Sequence, residues 1–191
     1  MHSLDGMAQR SLFESVGPPR IPGFSLLQPW ASLMALGAKH IETRSWYTKY
    51  RGDVAIASSK RWNTEDLELA IADDAMIRVW NKNGIRQMRE LPLGAILSVQ
   101  KLVACVPTET VTALDARRGS APLTVAGVIC DDDELCFGNF APRRWAWIYE
   151  SPRRLESPIP VKGMYGLYKL PEPVLHAIWD QLMTTERAKA S

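Results

Sequence analysis

Cysteine, histidine and net charge are what this 191-residue sequence has least of. Three cysteines, Cys105, Cys130 and Cys136, form no even disulfide framework, and the C-x5-C spacing of the last two matches no zinc motif. Free thiols in a reducing compartment are expected, with Cys105 a core residue. His2, His40 and His176 fall in an N-terminal arm, on a strand and on the last helix, which offers no Ser/His/Asp arrangement. No run of about eighteen apolar residues exists, and residues 1–20 contain no apolar core of a signal peptide. The expectation is therefore an intracellular, cytoplasmic protein, or a nuclear one in a eukaryote, that makes no use of a membrane. Internal repeats and glycine-rich phosphate loops are also missing, so no metal and no cofactor is expected. A net charge of only +2 gives no global field that would draw in a polyanion.

The distribution of charge says more than its sum. Residues 38–61 carry Lys39, Arg44, Lys49, Arg51, Lys60 and Arg61 against Glu42 and Asp53, while residues 63–76 hold Glu65, Asp66, Glu68, Asp73 and Asp74 and no cation. Arg143, Arg144, Arg153, Arg154 and Lys162 form a second basic cluster. Local positive patches are what phosphate binding requires.

The first basic stretch is also the most patterned. Pro29 suits a first helical turn, Trp30, Leu33 and Met34 fall on one stripe, and Gly37 stands where a left-handed C-terminal residue belongs. From His40 the period changes to two, which predicts a strand with Glu42 and Arg44 on one face, about 6.5–7 Å apart along the chain. Lys39, in the turn before it, can swing over the same face. Such a trio has several uses. It is a surface ion pair, or a guanidinium and carboxylate that read a base edge or grip a phosphate, or a half-buried site in which Lys39 acts as base beside ionised Glu42.

Gly37-x-Lys39-x-x-Glu42-x-Arg44 matches the G-x-K-x-x-E-x-R signature of the ASCH domain, a relative of the PUA-like barrels. Gln28-Pro29-Trp30-Ala31-Ser32-Leu33, Arg44-Ser45-Trp46-Tyr47-Thr48 and Arg51-Gly52 resemble that family too. So do Leu93-Gly94-Ala95-Ile96, Phe137-Gly138, Trp145-Ala146-Trp147 and Pro160-Val161-Lys162-Gly163, extending the resemblance over residues 21–171. It implies an α+β fold, a PUA-like mixed β-barrel of about six strands with two to three flanking helices, and a cleft lined by the signature residues. It also implies association with RNA or another nucleic acid and, in some small bacterial members, hydrolysis of acetylated cytidine. Those hydrolases carry Thr where this chain has Glu42, and no counterpart of their later carboxylate is evident.

Three readings of function follow. The first is recognition of RNA or a single-stranded segment by Lys39, Glu42, Arg44, Trp46, Lys60, Arg61, Trp62 and Lys162. The second is hydrolysis of an N-acylated nucleoside, or cleavage of RNA, with Lys39 and Glu42 as catalytic residues. The third is a protein-interaction module within a transcription or RNA-processing complex.

Elsewhere the chain reads as scaffold. Residues 1–20 form a flexible arm ending in Gly17-Pro18-Pro19. Residues 53–58 form a strand in a hairpin with the signature strand, and one helix runs from Asn63 or Thr64 to Trp80. Residues 95–106 are a buried strand, 107–123 a loop with one helical turn, and 131–134 a solvated acidic turn. Residues 144–149 place Trp145, Trp147 and Tyr149 on one barrel-filling face, and 151–160 are extended. Residues 172–191 form a helix docked on the barrel with a frayed end.

Overall fold

The structure, a computed structural model, describes residues 18–189. Most of the arm expected at residues 1–20, and the frayed end at 190–191, lie outside the described residues. Eight strands and five α-helices follow in order: β1 (Pro22–Leu26), α1 (Trp30–Ala35), β2 (Ile41–Arg44), β3 (Gly52–Ser58), α2 (Thr64–Ala72), α3 (Asp74–Lys82), β4 (Ala95–Pro107), α4 (Thr108–Arg117), β5 (Leu123–Val125), β6 (Val128–Cys130), β7 (Trp145–Pro160), β8 (Leu167–Lys169) and α5 (Glu172–Lys189). Six strands form one mixed sheet in the order β2-β7-β4-β3-β1-β8, curled into a half-barrel. Only β1 and β3 run parallel. β5 and β6 make a separate hairpin.

α1 ends as its sequence dictates. Gly37 takes φ +71°, its N–H bonds to the Met34 carbonyl, and the Ala38 N–H reaches back to Leu33. This pairing satisfies carbonyls that the helix end leaves open and turns the chain sharply into Lys39 and β2. At the other end Gln28 is fully buried; its side chain donates to the Pro92 carbonyl and accepts from the Ser32 N–H. The helix is thus held to the loop before β4.

Several expectations need correction. β2 and β3 do not form a hairpin: β2 pairs with β7, and β3 lies between β1 and β4. Seven residues join β2 to β3, enough to cross three strand spacings of about 4.8 Å each, so a short link did not require adjacency. The single helix expected from 64 to 80 is two, because Asp73 leaves the helical region at ψ 124° and its carboxylate caps α3 through the Met76 N–H. The expected loop after residue 107 holds the ten-residue α4. Its apolar periodicity is weak, since Val111 is its one fully buried aliphatic. The split helix and α4 raise the helix number from the expected two to three to five. Residues 151–160, extended as expected, prolong β7 along β4; Pro152 and Pro158 enter this long strand where register shifts interrupt the ladder, and Pro160 ends it.

Inside the half-barrel, Phe24, Leu26, Val54, Ile56, Leu102, Trp147 and Tyr149 form the core beneath α1. Trp147 and Tyr149 fill it as expected, both fully buried. Ala146 and Ile148, on the opposite face of β7, pack with Ile41 under the β5–β6 hairpin. α5 covers Leu155, Ile159 and Tyr168 from outside. β2 is consequently an edge strand whose Ile41 and Thr43 are buried, while Glu42 and Arg44 stand half-buried on the other face.

Candidate functional site

Lys39, Glu42 and Arg44 converge. Glu42 stands between two cations, with Lys39 Nζ 3.5 Å from one carboxylate oxygen and Arg44 Nε 3.3 Å from the other. Lys39, however, does not swing. Its side chain is wholly buried, and Nζ donates to the carbonyls of Ile41 and Phe137, the latter at 2.6 Å. Two carbonyls and one carboxylate account for all three ammonium donors. Lys39 therefore pins the turn before β2 to the Phe137 segment and positions Glu42 from beneath. Arg44 is more open: its guanidinium lies 4.7 Å over the Phe24 ring, which stacks on Trp147.

A second carboxylate completes this foundation. Glu134 was expected in a solvated turn but is fully buried, accepting hydrogen bonds from the backbone N–H groups of His40 at 2.8 Å and Ile41 at 3.0 Å. Only its neighbours Asp131, Asp132 and Asp133 keep to the expected turn, where Asp132 and Asp133 pair with Arg118 and Arg78. Arg144, from the second basic cluster, donates from Nη2 to the Thr43 carbonyl and from Nε to that of Asn139. Beneath the trio, the buried Tyr149 hydroxyl has no hydrogen-bond partner among the described residues.

The trio's carboxylate and guanidinium open onto a cleft of about 530 Å³. Ser25 in β1 and Leu27 just after it bound the cleft, with Trp30 at the start of α1, Asn63 capping α2, Asp66 in the first turn of α2, and Asn139 and Arg144 ahead of β7. Two carboxylates and two guanidiniums thus face one space, with the Lys39 ammonium below. Sequence reasoning placed Glu42 and Arg44 here but missed Trp30, Asn63, Asp66 and Asn139, which come to the cleft from three separate segments: the start of α1, the start of α2 and the stretch before β7. Among the other candidates, Lys60, Arg61 and Lys162 are exposed and lie outside the lining. Trp46 packs edge-on against Trp147 at 4.5 Å, and Trp62 packs with α2 and α3. Neither ring lines the cleft.

Burial pushes the Asp66 carboxyl above its ordinary value of 3.8, with Glu65 adding to the rise; hydrogen bonds to the Trp30 and Asn63 side chains oppose it. The folded protein therefore holds this proton more tightly than the unfolded chain. Its contribution to stability is fully present below 3.8 and is lost as pH rises through the higher folded value. The melting temperature of wild type relative to Asp66→Asn should accordingly fall as pH is raised from the acid range towards neutrality, measured by calorimetry. A difference that grew with pH would show that the hydrogen bonds outweigh burial.

A family model of the ASCH domain matches residues 24–158. Activating signal cointegrator 1 of Mus musculus is 34% identical over 83 residues, which are 43% of this chain and 14% of that protein. The Homo sapiens protein of the same name is 32% identical over 83 residues, with the same coverage. This chain thus spans about one seventh of the length of the curated relatives it matches. Among solved structures, the ASCH protein of Zymomonas mobilis superposes with a TM-score of 0.44 at 12% identity, covering 87% of this chain and 94% of that one.

Proposed function

The chain belongs to the ASCH domain family, and from that premise we propose that its cleft binds RNA by taking an unpaired nucleobase against Glu42 and Arg44. The observation that carries this reading is the Glu42 carboxylate, fixed between Lys39 and Arg44 and open to a cleft of about 530 Å³. That volume lies within the roughly 300–1,000 Å³ range of small-molecule sites. A carboxylate that only accepts, beside a guanidinium that only donates, complements the adjacent donors and acceptors of a base edge. Duplex RNA hides those edges, whereas loops and single strands present them. Arg144 and Asn139 add polar groups on the far wall, and exposed Lys60, Arg61 and Lys162 supply phosphate contacts around it.

The geometry gives less support to hydrolysis. A general base must reach the proton it abstracts, and Lys39 Nζ is sealed under Glu42 with its donors occupied. Lys39 thus serves this reading as a positioning residue and Glu42 as the group that meets the ligand.

The test is a salt titration of a labelled single-stranded RNA by fluorescence anisotropy. Three phosphate contacts predict a slope of log affinity against log salt of about −2, at roughly −0.7 per contact for single strands. A duplex of the same sequence should bind more weakly. Affinity independent of salt, or a preference for the duplex, would overturn the reading.

A further inference from the structure

We propose that the turn Lys162-Gly163-Met164-Tyr165-Gly166 is a second nucleobase platform, taking the nucleotide that flanks the one in the cleft of the same single strand. This rests on the reading of the cleft as a base site. The first observation is exposure: Tyr165 is 84% exposed and Met164 60%, and no other large hydrophobic residue among those described is as open as Tyr165. An open aromatic face is what a base needs for stacking.

The second observation is that the turn is fixed rather than loose. A Cβ at Gly163 would stand 2.5 Å from Ser25 Oγ, so the backbone here lies directly on a cleft residue. Ser25 is held in turn by Tyr168 at 3.0 Å. At the other end Gly166 takes φ +71°, with the Trp46 ring 4.0 Å from where its Cβ would be. The Tyr165 ring lies 6.4 Å from Trp46, which is locked edge-on to Trp147. Arg44, Phe24, Trp147, Trp46 and Tyr165 therefore form an unbroken series of ring contacts from the cleft to the surface.

The third observation is charge: Lys162 is exposed at the start of the same turn. An aromatic face and an ammonium on one five-residue turn suit a stacked base and its phosphate, and each base has a face that can stack. Since the backbone of the turn is packed on Ser25 and Trp46, only the side chain loses freedom on binding. A single strand lying from the cleft over Ser25 to Tyr165 would use both places at once.

The experiment compares a nucleoside monophosphate, which fills the cleft alone, with a single-stranded RNA hexanucleotide, using wild type, Tyr165→Ala, Tyr165→Phe and Arg44→Leu. Tyr165→Ala is expected to weaken the hexanucleotide about 5- to 150-fold and to leave the monophosphate and the melting temperature unchanged. Tyr165→Phe should behave as wild type, because the ring face is kept. Arg44→Leu should weaken both ligands. Wild-type hexanucleotide binding by Tyr165→Ala overturns the platform, and capture of a protein at this turn would then identify another occupant. A hexanucleotide that binds wild type no more tightly than the monophosphate also overturns the platform, while leaving the cleft reading intact. Loss of monophosphate binding in wild type with the Tyr165 effect on the hexanucleotide preserved would remove the cleft reading and keep the platform.

Discussion

Replacing Lys39 with methionine is expected to lower the unfolding free energy by about 3–5 kcal/mol, the usual cost of breaking one partner out of a buried ion pair. Methionine fills much of the same volume, so the loss is electrostatic rather than a cavity. Two carbonyls, of Ile41 and Phe137, lose their donor, and Glu42 loses the cation beneath it. Urea denaturation of the variant measures the loss. Adding Glu42→Gln to Lys39→Met should recover part of it, since a partly buried carboxylate that has lost one of its two cations is neutralised. A midpoint equal to wild type in the single variant would show that Lys39 is not holding the turn, and would reopen its use as a base.

The second large effect concerns Arg44, and it should fall on binding instead. Arg44→Leu keeps an apolar body over Phe24 but removes the guanidinium donors on the cleft side of Glu42, leaving only the buried Lys39 ammonium beside it. Truncating one member of a desolvated recognition pair costs about 2–5 kcal/mol, so single-stranded RNA should bind roughly 30-fold more weakly or worse. The side chain is 27% exposed, against none for Lys39, and its departure leaves no orphaned carbonyl. Stability should therefore change far less than in Lys39→Met. If denaturation and binding fell together, the guanidinium would be a structural strut; if binding alone were unaffected, the cleft would not be the RNA site.

These two residues show what was legible in the sequence. The spacing from Gly37 to Arg44 is local, and local rules placed the helix stop, the strand and the shared face of Glu42 and Arg44. Burial of Lys39 was not legible, because it depends on Phe137, which lies 98 residues further on. Glu134 was misread for a related reason. Within a run of four acids nothing distinguishes the one that meets two backbone N–H groups 93 and 94 residues earlier. The pairing of β2 with β7 likewise needed the whole sheet order, since the short link to β3 pointed to a hairpin. Arg144 could have been singled out from its basic cluster only by knowing which strand ended beside it. The aromatic alternation of β7 was informative because a filled interior is an intrinsic demand of a small curled sheet, whatever its topology.

The border position of β2 has a consequence for the protein in concentrated solution. A sheet margin offers unclaimed amides and carbonyls to which a strand from another molecule can attach. Here Glu134 occupies the amides of His40 and Ile41, and Arg144 occupies the carbonyl of Thr43. The side chains that hold the site in shape also guard its margin, and copies of the protein should resist zipping together along it.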